Sequence, residues 1–204
     1  MSLVLYHATP SRSVGARALL AELGVPYELK LLNLKEREEY KPEFLAINPM
    51  GKVPTIVHDG VVITEQTAIY TYLADAFPAA GLAPAIGDPL RGPYLRWMAF
   101  YGSCFEPGVI DLALQREPAP YSMSPYGNID TVMRVLWTQL EAPGPWFLGE
   151  KFTALDVLWA GSLTWMAKFE LVKLTPAAEE YLKRVNARPA LQKAAVEELK
   201  LSGA

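Results

Sequence analysis

The proline-containing run from Asn48 to Thr55 constrains the fold of this chain more than any other feature. The bond before Pro54 is a candidate cis peptide, because only a bond to proline has a trans preference small enough for tertiary structure to override. A cis proline at the start of a strand would turn the N–H and C=O of Val53 outward, without a partner. These groups can pair with an extended, peptide-like ligand, as a free sheet edge pairs with another strand.

A second ligand-binding feature follows at the start of the next predicted helix. Glu65 and Gln66 open this helix, where unsatisfied N–H groups and the helix dipole favour a carboxylate. Compensation of the dipole is the alternative role for Glu65. Lys52 lies beside Val53 and either pairs with a ligand carboxylate or is a solvated loop charge. One ligand would then be held by the strand edge and by the helix end.

The loop between the first predicted strand and the first predicted helix contains Thr9, Ser11, Arg12 and Ser13. Such loops hold reactive groups in open α/β sheets, and a thiol brought there is acidified by the helix N-terminus and by hydroxyl donors. We expect Ser11 to stabilise the thiolate, with Thr9 and Ser13 as alternatives. The competing interpretation is that Ser11 or Ser13 only caps the helix. Arg12 would support the thiolate, bind a carboxylate or form surface ion pairs.

The remaining pattern predicts two domains. The order β-α-β-α-β-β-α over residues 1–78, with a hairpin turn at Asp59-Gly60, is typical of an α/β domain. Residues 79–87 are rich in proline, glycine and alanine and predict a linker. Residues 88–204 contain no convincing strand and predict an all-α helical bundle. Its helices are predicted to start near Asp88-Pro89, Ser124-Pro125, the Thr153–Asp156 capping box, Thr175-Pro176 and Arg188-Pro189.

Composition excludes several classes of protein. A net charge of −3 over 204 residues argues against nucleic acid as the main partner. Neither a signal peptide nor a membrane span is visible, so we expect a cytoplasmic protein. The single cysteine, Cys104, excludes an intrachain disulfide framework and a multi-cysteine metal cluster, and we expect no metal cofactor.

Together these motifs resemble the cytosolic glutathione S-transferases, in a bacterial-type branch with a hydroxyl-containing loop and no active-site cysteine. The resemblance implies a thioredoxin-like N-terminal domain that binds glutathione as co-substrate. The chief departure is Gln66, where the family usually has serine. The segments that carry the resemblance are Leu3–Tyr6, Leu19–Tyr27, Asn48–Thr55, Glu65, Ala68–Leu73 and Phe152–Asp156.

By this resemblance, Glu65 would accept the α-ammonium of the γ-glutamyl group of glutathione. Tyr6 is a reserve candidate for the activating hydroxyl, and strand alternation should send either Tyr6 or His7 into the core. We interpret His7 as a structural residue rather than a base, because no Asp or Cys lies near it in sequence. The expected glutathione-binding residues are Arg12, Lys52, Val53, Pro54, Glu65 and Gln66.

An aromatic stripe in the second domain has helical spacing and contains Tyr94, Trp97, Tyr101 and Phe105. Core packing is the simplest interpretation of such a stripe. The resemblance implies instead that part of it lines a pocket for an apolar electrophile, between this helix and the first-domain loop.

The function that the resemblance implies is conjugation of the glutathione thiolate to a small apolar electrophile, in detoxification, by a homodimer. Two alternatives stay open. One is a glutathione-dependent disulfide reductase or peroxidase, which the absence of a loop cysteine disfavours. The other is a non-catalytic protein-interaction module, which Gln66 in place of serine keeps open because fold does not dictate function. Glu65, the Val53-Pro54 element and the hydroxyl-rich loop argue against this module.

Overall fold

The computed structural model describes residues 2–117 and 119–202. Contacts divide the chain into two compact units. The first contains the chain up to Ala80 together with the chain from Arg188 onward, and the second spans Gly81–Ala187. The predicted domain boundaries, with a linker over residues 79–87, stay a prediction. The observed units differ from the predicted domains in one respect, because the last helix belongs to the first unit. The predicted domain ends at residues 1 and 204 lie outside the described residues.

The first unit is a thioredoxin-like α/β domain with the predicted order β-α-β-α-β-β-α. The elements are β1 (Leu3–His7), α1 (Ser13–Leu23), β2 (Glu28–Leu31), α2 (Pro42–Leu45), β3 (Thr55–His58), β4 (Val61–Ile63) and α3 (Gln66–Ala76). The sheet has the order β2-β1-β3-β4, with β1 parallel to β2 and antiparallel to β3, and β3 antiparallel to β4.

Alternation along β1 decides which side chains enter the core. Leu3, Leu5 and His7 are buried on one face of the strand, whereas Tyr6 points to the other face. The Tyr6 ring packs there against Phe44 of α2, with centroids 5.4 Å apart. Of the two residues at the strand end, His7 is therefore the one on the α1 side of the sheet.

The last helix, α9 (Pro189–Ser202), packs along α1 within the first unit. Both oxygens of the Glu22 carboxylate accept hydrogen bonds from the Arg188 guanidinium, at 2.8 and 2.6 Å. The Glu22 side chain is 4% exposed, so this bidentate pair is largely shielded from water. It fixes the start of α9 to the end of α1.

The second unit is helical, as predicted. A π-helical turn over Tyr101–Phe105 joins its first two helices, because Pro107 has no N–H to continue the regular hydrogen-bond pattern. Its helices are α4 (Arg91–Phe100), α5 (Glu106–Ala113), α6 (Ile129–Leu140), α7 (Ala154–Lys168) and α8 (Pro176–Asn186). None of the helices described in the structure is long and apolar enough to span a membrane.

Two predicted helix starts are wrong. Asp88 caps a turn by accepting the Leu90 N–H at 2.8 Å, and α4 begins only at Arg91. α6 begins after Asn128, whose side chain accepts the Thr131 N–H at 2.9 Å, rather than at Ser124-Pro125. A Ser-Pro pair also suits a turn, and a better-placed cap four residues later starts the helix.

The predicted capping box at the start of α7 is confirmed. The Asp156 side chain is fully buried and accepts the Thr153 N–H at 2.8 Å, the Phe147 N–H at 2.7 Å and the Tyr181 hydroxyl at 3.1 Å. Burial raises the pKa of the Asp156 carboxyl to about 6, and these donors partly offset the rise. One carboxylate thus satisfies donors from α7, α8 and the preceding loop.

Candidate active site

Three segments of the first unit meet at one end of its sheet. Pairing of Tyr6 with Thr55 places the loop after β1 beside the loop before β3. The first turns of α1 and α3 are also neighbours, because a Cβ built on Gly15 would lie 3.4 Å from Nε2 of Gln66. The sheet end therefore brings together three segments: the β1–α1 loop, Val53-Pro54 and the start of α3. A ligand held by a strand edge and by a helix end, as the sequence predicts, would need this arrangement.

Ser11, like Thr9, is a partly exposed hydroxyl residue of the β1–α1 loop. Its Oγ lies 2.6 Å from the Ala8 carbonyl oxygen and 2.6 Å from the Ser13 Oγ, and it accepts the Ser13 N–H at 3.1 Å. Ser11 therefore holds the first residue of α1 through its hydroxyl oxygen, and the residue as a whole is partly exposed. The two interpretations of this serine, capping and ligand contact, are compatible.

Ser13 is fully buried and belongs to a hydrogen-bonded cluster behind the loop. Its Oγ accepts the Ala8 N–H at 3.1 Å and lies 2.7 Å from Nδ1 of His7. The other ring nitrogen of His7 lies 3.1 Å from Oε1 of Glu198, on α9. His7 is thus held between a serine of α1 and a carboxylate of the last helix.

Arg17 shares the Glu198 carboxylate with His7. Its guanidinium is hydrogen-bonded to Oε2 of Glu198, lies 3.4 Å from Glu197 and donates to the Tyr27 hydroxyl. Burial acts to raise the pKa of Glu198, but the interactions with His7 and Arg17 outweigh burial and lower that pKa below its ordinary value. The carboxyl is therefore ionised at neutral pH.

The other candidate residues near the end of β1 are less well placed than Ser11 to contact the thiol of a ligand. Thr9 is joined to Pro10 by a cis peptide, and its hydroxyl lies 3.4 Å from Nε2 of His7. Arg12 is exposed at the N-cap position of α1. Tyr6 packs on the opposite face of the sheet. Their roles stay predictions.

The Asn48–Thr55 loop is organised by the buried Asn48 amide. Its Nδ2 donates to the Lys52 carbonyl at 2.9 Å and to the Thr55 hydroxyl at 3.0 Å, which ties the two ends of the loop together. Gly51 has φ +60°, and a Cβ there would lie 2.9 Å from the Glu39 carbonyl oxygen. The loop therefore requires glycine at this position.

The bond before Pro54 is cis, as predicted. In residues 2–117 and 119–202, no hydrogen bond joins the backbone of Val53 to another backbone group. Lys52 is exposed next to it. Val53 can therefore offer a donor and an acceptor to an extended ligand.

Glu65 has an unusual backbone conformation at the start of α3. Its φ of 63° and ψ of 118° lie outside the regions that a side chain with a Cβ ordinarily adopts. The Glu65 carboxylate is exposed, and Gln66 is the first residue of the helix. A strained backbone conformation persists only where the surrounding structure enforces it, and such conformations are common at ligand-binding sites. The conformation of Glu65 is therefore consistent with a place in such a site.

Close packing between α1 and α3 makes a testable prediction. A Cβ on Gly15 would lie too close to the hydroxyl oxygen of the buried Tyr70, but 3.7 Å from the ring carbon that bears it. We expect Gly15→Ala to lower the free energy of unfolding by about 1–3 kcal/mol. In a Tyr70→Phe background the same change should be neutral or stabilising by up to about 1 kcal/mol, because alanine favours the helix.

Denaturant unfolding of the wild type, both single variants and the double variant measures this coupling. An equal loss from Gly15→Ala in both backgrounds would show that the Tyr70 hydroxyl is not what excludes a side chain there.

The aromatic stripe of the second unit lies in its interior. Its residues are at most 2% exposed, and their rings surround Trp159, except for that of Tyr94. Core packing accounts for these positions. A role in binding an electrophile stays a prediction for Tyr94, Trp97, Tyr101 and Phe105.

Sequence reasoning missed two parts of the site. One is the role of the Asn48 amide: the residue belongs to the proline-containing run, but its bonds to Lys52 and Thr55 were not predicted. The other is the contact between His7 and Glu198, which are 191 residues apart and have no shared motif. No group of three or more His, Cys, Asp or Glu side chains in the described part of the chain is arranged to hold a metal ion.

Comparison with known proteins points to one family. The family model described as "Glutathione S-transferase, N-terminal domain" matches residues 1–75. The glutathione S-transferase GstA of Escherichia coli O157:H7 is 26% identical over 93% of this chain and 96% of its own length. Protein LigF of Sphingobium sp. is 37% identical over 47% of this chain, and this match spans only 38% of LigF.

A solved structure shows the same relationship over nearly the whole chain. It is a sphingomonad glutathione S-transferase complexed with glutathione, with a TM-score of 0.74 and 29% identity. The match covers 96% of this chain and 98% of the other. The similarity therefore includes both the α/β unit and the helical unit.

Proposed function

Because this chain belongs to the cytosolic glutathione S-transferase family, we propose that it binds glutathione in its first unit and transfers the thiolate to a small apolar electrophile. The convergence of Ser11, the Val53 backbone and Glu65 at one end of the sheet carries this proposal. These groups match the parts of one tripeptide: a thiol, a peptide backbone and a charged end.

Each group has a separate role in this proposal. Val53 pairs with the backbone of glutathione as a neighbouring strand would. Glu65 accepts the α-ammonium, and the N–H groups at the start of α3, with Gln66, bind the adjacent carboxylate. Lys52 and Arg12 supply positive charge for the carboxylates of glutathione. The Ser11 hydroxyl donates a hydrogen bond to the thiolate.

The finer features of the family belong to the same proposal. The chain acts in the cytoplasm as a homodimer, in detoxification, and requires no metal. The disulfide reductase and peroxidase alternative gains no specific support, because Cys104 lies in the π-helical turn of the second unit rather than in the β1–α1 loop.

Replacement of Glu65 tests the proposal. Removal of its charge should weaken glutathione binding about 10–100-fold, because a hydrogen bond to a charged group contributes about 1.5–3 kcal/mol. We expect this loss in both Glu65→Gln and Glu65→Gly, measured by calorimetric titration with glutathione. Glu65→Gly also relieves the strained φ and should leave the free energy of unfolding unchanged or about 1 kcal/mol higher.

The pair of variants separates binding from folding. Glu65→Gln keeps the backbone strain and loses the charge, whereas Glu65→Gly loses both. Wild-type affinity in either folded variant would refute the assigned role of Glu65.

A further inference from the structure

We propose that Ser11, Ser13, His7 and Glu198 form a relay that carries the thiol proton of glutathione into the protein and holds it on His7. This proposal rests on the proposed function. It adds to that function a group inside the protein, His7, that accepts the thiol proton. Ser11 contacts the thiol, whereas Ser13, His7 and Glu198 are positioning residues that act through it.

The four side chains form a continuous hydrogen-bonded chain. The Ser11 and Ser13 oxygens are 2.6 Å apart, Ser13 Oγ lies 2.7 Å from His7 Nδ1, and His7 Nε2 lies 3.1 Å from Glu198. His7 and Ser13 are both 0% exposed. Ser11 is partly exposed, so the chain of groups runs from the surface of the loop to the α9 carboxylate.

Donor and acceptor chemistry fixes the direction of these bonds before ionisation. The ionised Glu198 can only accept, so Nε2 of His7 carries a proton and donates it. In a neutral imidazole Nδ1 is then an acceptor, and it takes the Ser13 O–H. The Ser11 proton points inward, to Ser13 or to the Ala8 carbonyl. The outer lone pair of Ser11 is left to accept the S–H of glutathione.

Ionisation reverses the bonds that join Ser11, Ser13 and Nδ1 of His7, whereas Nε2 of His7 donates to Glu198 before and after the transfer. The S–H bond breaks, its electron pair stays on sulfur, and its proton passes to Ser11 Oγ. The former Ser11 proton moves to Ser13, and the Ser13 proton moves to Nδ1 of His7. The products are a thiolate and an imidazolium, with no change in total charge. The Ser11 O–H now points outward and donates to the thiolate.

The charges around His7 suit this transfer. The Glu198 carboxylate faces Nε2 and compensates the imidazolium, while the thiolate compensates it from the other end of the chain. Arg17 also pairs with Glu198 and Glu197 and contacts the Tyr27 hydroxyl. Two carboxylates and one guanidinium thus lie behind His7, and this surplus of negative charge favours a proton on the ring.

The count of protons released on binding tests the relay in the wild-type protein. Thiolate formation is followed by its ultraviolet absorbance, and proton release by calorimetry in buffers that differ in ionisation enthalpy. The expected result is thiolate formation with almost no proton released. Transfer to solvent would instead release about one proton for each thiolate formed.

His7→Gln removes the acceptor but keeps groups that can bond to Ser13 and Glu198. We expect it to raise the pKa of the thiol of bound glutathione by about one unit or more, which lowers the ratio of thiolate to thiol about tenfold or more. Glu198→Gln should lower the thiolate fraction less. Glu197→Gln is the matched control, because it makes the same charge change one residue away and contacts Arg17 but not His7; it should behave like the wild type.

Each outcome decides the question. Absence of glutathione binding to the folded wild type would overturn the proposed function and the relay together. Binding without a thiolate, or with about one proton released for each thiolate, would overturn the relay alone. Wild-type thiolate and proton counts in folded His7→Gln would also overturn it. If His7→Gln does not fold, the wild-type proton count still decides.

Discussion

Asp156→Ala is expected to lower the free energy of unfolding by about 3–5 kcal/mol. The carboxylate accepts bonds from Thr153, Phe147 and Tyr181, all in the interior of the second unit. Alanine leaves the Thr153 and Phe147 N–H groups buried without this acceptor, at a cost of about 1–3 kcal/mol each. The Tyr181 hydroxyl keeps only the main-chain carbonyl oxygen of residue 156, at 3.4 Å. Denaturant unfolding near pH 8, above the Asp156 pKa of about 6, measures the loss with the carboxyl ionised in the wild type.

Asn128→Ala is the matched control for this experiment. Asn128 caps α6 through one bond to the Thr131 N–H in an exposed setting, so its loss should cost only about 1 kcal/mol. Equal effects of Asp156→Ala and Asn128→Ala would mean that Asp156 acts as an ordinary helix cap and does not join α7 to α8.

Ser11→Ala is expected to lower the rate of glutathione conjugation about 10–100-fold while the protein still binds glutathione. Alanine cannot donate to the thiolate, and a hydrogen bond to a charged group contributes about 1.5–3 kcal/mol. The thiolate absorbance of bound glutathione at neutral pH should fall in parallel. Ser11→Thr keeps a hydroxyl at the same position and should retain most of the activity.

Wild-type thiolate absorbance and turnover in Ser11→Ala would move the role to Thr9, Ser13 or Tyr6. Of these, Ser13 is buried and bonded to His7, so its replacement would also disturb the core. Ser11→Ala removes bonds of a partly exposed hydroxyl at the first turn of α1. Unfolding measurements should show a loss of about 1 kcal/mol and establish that this variant is folded.

Much of the first unit could be predicted because its signals are local. Apolar runs, the Asp59-Gly60 turn and the stop at Gly24 define elements within a few residues, and all three are found. The proline at residue 54 and the carboxylate at residue 65 likewise indicate their places in the site. Such features depend on backbone preferences that a short segment already expresses.

The unit to which the last helix belongs could not be predicted from local signals. Its start at Arg188-Pro189 is a local signal and was predicted, but its packing against α1 depends on contacts between distant segments. Glu198 reaches His7 only because of that packing. From the sequence alone we interpret His7 as a structural residue, because no Asp or Cys lies near it there. In the folded chain, however, the Glu198 carboxylate lies beside its ring.

Calorimetric titration of the wild-type protein with glutathione tests the central claim most directly, and it is also the reference for the Glu65 variants. Saturable binding at neutral pH is the predicted result, together with protection of the protein against unfolding by glutathione. No heat of binding and no protection, in a protein shown to be folded, would contradict the claim and favour the non-catalytic interaction module.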